Sequence, residues 1–160
     1  MKNKKAPHMV HAATVARMAT LFADLGISYH QVYGYSDWQC CYDFTVQVGG
    51  RTQRIAVRTG WMKKRSSWTK SGNWEYRYHY EAAFFNLGPC RRRTRKHLKE
   101  YTDFFVCVPT NNQGRIIDRI YVIPWDALAG KKSAYITRST RERPYRGKYA
   151  KFREAWSLLS

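Results

Sequence analysis

Residues 42–60, YDFTVQVGGRTQRIAVRTG, read as two strands joined by a glycine turn, and the other segments are placed by reference to them. In the first strand Tyr42, Phe44, Val46 and Val48 alternate with Cys41, Asp43, Thr45 and Gln47, the period of a strand with one buried face. Gly49-Gly50 supplies the positive backbone angles that a tight hairpin demands. In the return strand Ile55, Val57 and Thr59 share one face, and Arg54, Ala56 and Arg58 share the other. Asp43, Ala56 and Arg58 are therefore expected to converge.

This frame resembles the PD-(D/E)XK nucleases, most closely the short endonucleases associated with group I introns. Those proteins carry a YD pair, a turn, and a strand ending in a Gln- or Glu-x-Lys-Thr signature; here the places are held by Tyr42-Asp43, Gly49-Gly50 and Ala56-Val57-Arg58-Thr59-Gly60. Further on, a strand beginning Asp103-Phe104-Phe105, a turn at 111–114 and a strand ending Ile123-Pro124 before a short helix extend the likeness, which covers roughly residues 10–128. The resemblance implies a single α/β domain with a central mixed β-sheet flanked by helices. It also implies a site where an Asp and a second acidic or amide residue bind magnesium while a Lys positions or activates water.

Two of those three positions differ in this chain: Asp43 is kept, Ala56 replaces the second ligand and Arg58 replaces the Lys. The family's first helix often brings a glutamate to the metal, whereas the acid in that segment here is Asp24, at its far end. The loop before Asp43, residues 33–38, also lacks the family's proline. Magnesium needs oxygen ligands in near-octahedral geometry, and an alanine methyl offers none. Arginine stays protonated at any workable pH, so Arg58 suits a phosphate contact or an ion pair with Asp43, not proton transfer. Asp37, Glu75 and Glu81 are the spare carboxylates that an active metal site would have to recruit.

Composition points to the partner. The chain has 160 residues, 29 Lys and Arg against 11 Asp and Glu, a net charge of +18, and 44% hydrophobic residues, enough for one domain with a real core. Such an imbalance steers a protein towards a polyanion, with nucleic acid ahead of an anionic membrane. No apolar run approaches the ~20 residues that cross a bilayer, and the basic start MKNKKAPHMVHAA lacks a secretory apolar block. A cytoplasmic, nucleoid-associated protein is expected. Cys40, Cys41, Cys90 and Cys107 show no C-x-x-C spacing, so neither zinc nor a disulfide framework is expected.

The remaining segments fall around the hairpin. Residues 1–8 read as a basic flexible tail and 9–160 as one domain; Val15, Met18, Phe22 and Leu25 form a helical stripe ending at Gly26, and 27–32 a first strand. After Gly60, WMKKRSSWTKSGNW reads as a loop presenting Lys63, Lys64, Arg65, Trp68 and Lys70 to nucleic acid. Residues 74–81 alternate as a strand, with Glu75, Arg77, His79 and Glu81 opposite the tyrosines. Arg91, Arg92, Arg93, Arg95 and Lys96 lie in the densest run of cations and read as the main phosphate contact. Residues 135–137 suit a short edge strand, and Tyr149, Phe152, Ala155, Trp156 and Leu159 space as a closing helix.

Three functions fit these residues. The first is a DNA-binding protein on the nuclease frame, without a cofactor and with hydrolysis lost. The second is an active magnesium-dependent endonuclease using Asp43 with Glu75, Glu81 or Asp37, and the third is a structural RNA-binding protein of a ribonucleoprotein. The resemblance to nucleases that act as oligomers, with the limited reach of one 160-residue subunit, also implies self-association.

Overall fold

The computed structural model describes residues 7–32, 42–87, 102–128, 131–141, 144 and 146–160. Helix α1 (Pro7–Asp24) is followed by β1 (Tyr29–Gln31), β2 (Phe44–Val48), β3 (Arg51–Ser71), β4 (Trp74–Asn86), β5 (Phe104–Thr110), β6 (Tyr121–Pro124) and β7 (Ser133–Thr137). A short 3-10 turn at Trp125–Leu128 lies between β6 and β7, and two more follow β7 at Ala150–Phe152 and Trp156–Leu159. The strands form a seven-stranded sheet in the order β1-β2-β3-β4-β7, with β5 also pairing β3 and β6 pairing β5. Only the β3–β5 pairing is parallel among the described ladders, so the sheet is mixed, as the resemblance implies.

The organising hairpin forms as read. Val48 pairs with Arg51 across Gly49 (φ 54) and Gly50 (φ 75), and Phe44 pairs with Ile55. Both central angles are positive, the requirement of the hairpin turn whose twist matches its strands. Phe44, Val46, Ile55 and Val57 then face α1, packing with Met18 and Phe22 in one core. Ala56, Phe85, Phe105, Cys107, Tyr121, Ile123 and Ile136 form a second core on the opposite face of the sheet. β5 lies between the two and is buried along nearly its whole length, which is why it reads as a continuous apolar run.

Helix α1 ends where Gly26 predicts. Gly26, at φ 69, donates its N–H to Ala23 O and Ile27 donates to Phe22 O, the paired bonds of a Schellman cap. At the start of the parallel pair, Asp103 grips Arg54. Its Oδ2 accepts from Arg54 Nε at 2.9 Å and from the Arg54 backbone N–H at 2.8 Å, while Oδ1 accepts from Nη2 at 3.1 Å. Asp103 N–H returns a bond to Arg54 O. The clamp fixes the register from Ile55↔Phe104 onwards.

Two expectations are corrected. Residues 61–74 are not a loop: β3 runs unbroken through Gly60 to Ser71, turns at Gly72-Asn73, and pairs with β4 from Ser71↔Trp74 back to Trp61↔Phe84. The closing helix over 149–159 is replaced by two 3-10 turns separated by Glu154 at φ 50. Glu154 donates its N–H to Ile120 O, and its carboxylate accepts from Ile120 N–H at 2.7 Å and Trp156 Nε1 at 2.8 Å. That anchor splits the apolar stripe. Tyr149 and Phe152 go to the second core, Ala155, Trp156 and Leu159 to the first, and a straight helix presents all five on one side.

Candidate nucleic-acid interface

Two regions of β3 carry the residues of interest: its base within the sheet, and its projecting arm. At the base, the β2–β3 register ends at Phe44↔Ile55, with one further backbone bond from Asp43 N–H to Ile55 O at 2.7 Å. The next N–H, that of fully buried Val57, is taken by the Asp43 carboxylate, with Oδ2 accepting at 2.7 Å. Asp43 Oδ1 faces His11 Nε2 of α1 at 3.4 Å. The helix therefore delivers an imidazole to this corner, not a carboxylate.

The expected Asp43–Arg58 ion pair is absent from the described contacts. Arg58 donates from Nη1 to Val57 O at 2.9 Å and lays its guanidinium over the Phe105 ring, 5.5 Å from its centroid. Its register partner on β5 is Cys107. Burial pushes the Cys107 thiol up to about 12, against a smaller opposing pull from the Arg58 charge, so it is a protonated core residue at neutral pH and not a nucleophile. Ala56, between Asp43 and Arg58 in the frame, is 0% exposed within the second core.

This donor set falls short of what magnesium requires. One carboxylate has an oxygen committed to a backbone N–H, a methyl stands at the second position, and a guanidinium at the third. Among the described residues no group of three or more His, Cys, Asp or Glu is placed to hold a metal ion. Glu75, weighed as a partner for Asp43, is corrected by the register. It lies opposite Lys70, up to about 45 Å along the strand from Ala56 at ~3.3 Å per residue, and forms an ion pair with Lys70 at 2.8 Å. Glu81 pairs with Arg138 at 2.6 Å instead. Asp37 lies outside the described residues, as do Arg91, Arg92, Arg93, Arg95 and Lys96.

The arm is the second region. β5 accompanies β3 as far as Trp61↔Thr110, and β7 accompanies β4 as far as Ala82↔Thr137. Beyond Arg65 and Tyr80 the two strands pair with each other alone among the described residues, a ribbon roughly 20 Å long at ~3.3 Å per residue. Alternation sorts its side chains. Lys64, Ser66, Trp68 and Lys70 share a face with Glu75, Arg77, His79 and Glu81. On that face Lys70 is paired with Glu75 and Arg138 with Glu81, and Arg77 donates to Ser66 Oγ, so Lys64 and Arg77 remain as its net positive charge.

Trp61, Lys63 and Arg65 share the opposite face with Trp74, Tyr78, Tyr80 and Phe84. That face carries no acidic residue over 61–71 or 74–86. The cations the sequence grouped together are thus divided: Lys63 and Arg65 look one way, Lys64, Trp68 and Lys70 the other. Trp68 is 66% exposed and Trp74 80%, so neither packs inward.

Among solved structures the chain is similar to a bacterial homing endonuclease, I-Ssp6803I, with a TM-score of 0.54 and 18% identity over 92% of this chain and 86% of that one. The chain has the fold of a homing endonuclease. No family model and no curated protein matches it. The fold implied by the YD frame and the Asp103-Phe104-Phe105 strand is therefore the observed one, a mixed α/β nuclease-like domain. Among the described residues no helix is long and apolar enough to cross a membrane.

Proposed function

We propose that this chain is a DNA-binding protein built on an endonuclease fold, in which phosphodiester hydrolysis is lost. The observation that carries this reading is the contrast between the two regions of β3. Its base holds a lone carboxylate engaged by Val57 N–H and His11, while its arm presents uncompensated cations beside aromatic rings. A two-stranded ribbon is narrow enough for the ~12 Å major groove of duplex DNA. Lys63 and Arg65 on one face, with Arg58 at the base, would take phosphates, as would the Arg91 to Lys96 run. Stacking on exposed rings adds affinity without sequence preference. No cofactor enters this reading, the protein acts in the cytoplasm or nucleoid, and self-association would extend the reach of one subunit along a long target.

Titrating the purified protein with duplex DNA and with structured RNA at fixed salt, and incubating it with supercoiled DNA plus magnesium or manganese, tests the proposal. The expected result is tighter binding to DNA, steeply weakened by salt, with no nicking. Cleavage that disappears in Asp43→Ala would establish a working nuclease instead, and a preference for RNA would favour a ribonucleoprotein role.

A further inference from the structure

Where β3 leaves the core, it and β4 border an open cleft of about 290 Å³ lined by Thr59, Trp61, Lys63, Arg65, Phe84 and Asn86. That is close to the lower bound of the ~300–1,000 Å³ typical of small-ligand sites, room for one planar ring system. Its wall is aromatic: Trp61 is the cross-strand partner of Phe84, which packs on Tyr135 with centroids 4.9 Å apart. Its rim is cationic. Lys63 Nζ lies 5.9 Å from the Trp61 ring centroid, and the Arg65 guanidinium lies 5.5 Å from that of Tyr135. Arg65 Nε is buried and has no hydrogen-bond partner, so an anionic oxygen arriving here would satisfy a donor that the fold leaves unsatisfied.

We propose that this cleft receives one unpaired nucleotide of the bound DNA, its base stacked on Trp61 and its phosphate held by Arg65 and Lys63. The inference rests on the DNA-binding reading above and adds a substrate class to it, a duplex carrying an extrahelical nucleotide. A base inside a duplex has both faces covered by its neighbours and cannot reach a ring; an unpaired base reaches it at little unstacking cost. Lys63, already over the indole, holds the place of the base by a cation–π contact and has a flexible stem that lets it move to the phosphate. The absence of carboxylates from this face leaves nothing to repel the incoming anion.

The test uses the full chain and two duplexes of one sequence, fully paired or carrying a single bulged fluorescent purine. Tighter binding of the bulged duplex, by about tenfold, is expected from one stacked base, with quenching of the purine on the indole. Trp61→Leu should bring the ratio of the two affinities close to one, while Trp61→Phe keeps most of it. Equal affinities in the wild type, or a ratio that survives Trp61→Leu, would overturn the cleft and leave the DNA-binding reading standing. Should Trp61→Leu fail to fold, the wild-type ratio and the purine signal decide alone. Failure of both duplexes to bind would overturn both readings.

Discussion

Asp43 faces His11, not Arg58. The carboxylate spans a gap between helix and sheet, with Oδ1 3.4 Å from the imidazole Nε2 and Oδ2 2.7 Å from Val57 N. It therefore has a structural task, satisfying a buried backbone donor at the point where β2 gives out. Asp43→Ala should cost about 1–3 kcal/mol, the range for an orphaned buried donor, and thermal or urea unfolding measures it. The same substitution removes a negative charge next to the proposed DNA surface. Affinity for duplex DNA should rise a few-fold at low salt, and a fall would mean that the carboxylate takes part in binding through a cation.

The cations of the arm should differ in their electrostatic weight according to whether an acid already pairs them. Lys63→Ala and Arg65→Ala are each expected to reduce the slope of log K against log salt by about 0.9 on duplex DNA, the value for one lost phosphate contact. Lys70 already has Glu75 at 2.8 Å, so Lys70→Ala should leave the slope nearly unchanged. Equal slopes for the three variants would mean that the ribbon binds through both faces.

The arm also shows where the sequence was hard to read. Strand alternation is legible when one face is buried, and residues 42–60 alternate because Phe44, Val46, Ile55 and Val57 are pressed against α1. Residues 61–71 have solvent on both sides of a ribbon for most of their length, so no packing demand imposes a period, and the Ser, Gly and Asn content of residues 61–74 reads as loop. Glu154 gave no signal either. Its partners Ile120 and Trp156 are set by tertiary approach, which periodicity does not encode. The Asp43–Arg58 pairing was the natural reading of the alternation, and it lacked the one fact that the chain could not display, that α1 carries His11 to the same corner.

The Arg54–Asp103 clamp predicts an acid limit to stability. Burial pulls the Asp103 carboxyl up, but hydrogen bonds from the Arg54 guanidinium and backbone N–H outweigh it, leaving the group below its usual 3.8. A depressed folded value stabilises the native state above the unfolded pKa, and that contribution is lost as pH falls from 3.8 through the folded value. Asp103→Ala should cost about 1.5–3 kcal/mol at neutral pH, as for hydrogen bonds to a charged group. The difference between wild type and variant should shrink below that pH in urea titrations, and a constant difference would place the effect in packing.

Gly60 is held by contact, not by backbone angle. A β-carbon there would lie 2.6 Å from the Phe85 ring, which is itself fully buried in the second core. Gly60→Val should therefore destabilise by about 1–3 kcal/mol through overpacking, and it should do so without altering the salt slope of DNA binding. Gly60→Val/Phe85→Leu, which makes room for the branch, should recover part of the loss; no recovery would show that backbone entropy or another neighbour sets the requirement.

The double variant Ala56→Glu/Arg58→Lys asks whether the frame can still hold a metal. Position 56 is wholly buried among Phe105, Phe85 and Cys107, so a glutamate placed there without a partner is strongly unfavourable, and the metal-free variant should melt well below wild type. With Asp43 nearby, a divalent ion supplies the missing charge and takes oxygens from both carboxylates, so magnesium or manganese should raise the melting temperature of the variant in a concentration-dependent way. The wild type, with no group of three or more metal-ligating side chains placed together among the described residues, should show no such shift. A metal-dependent shift in the wild type would mean that a donor outside the described residues completes the site, and Asp37 would be the first to substitute.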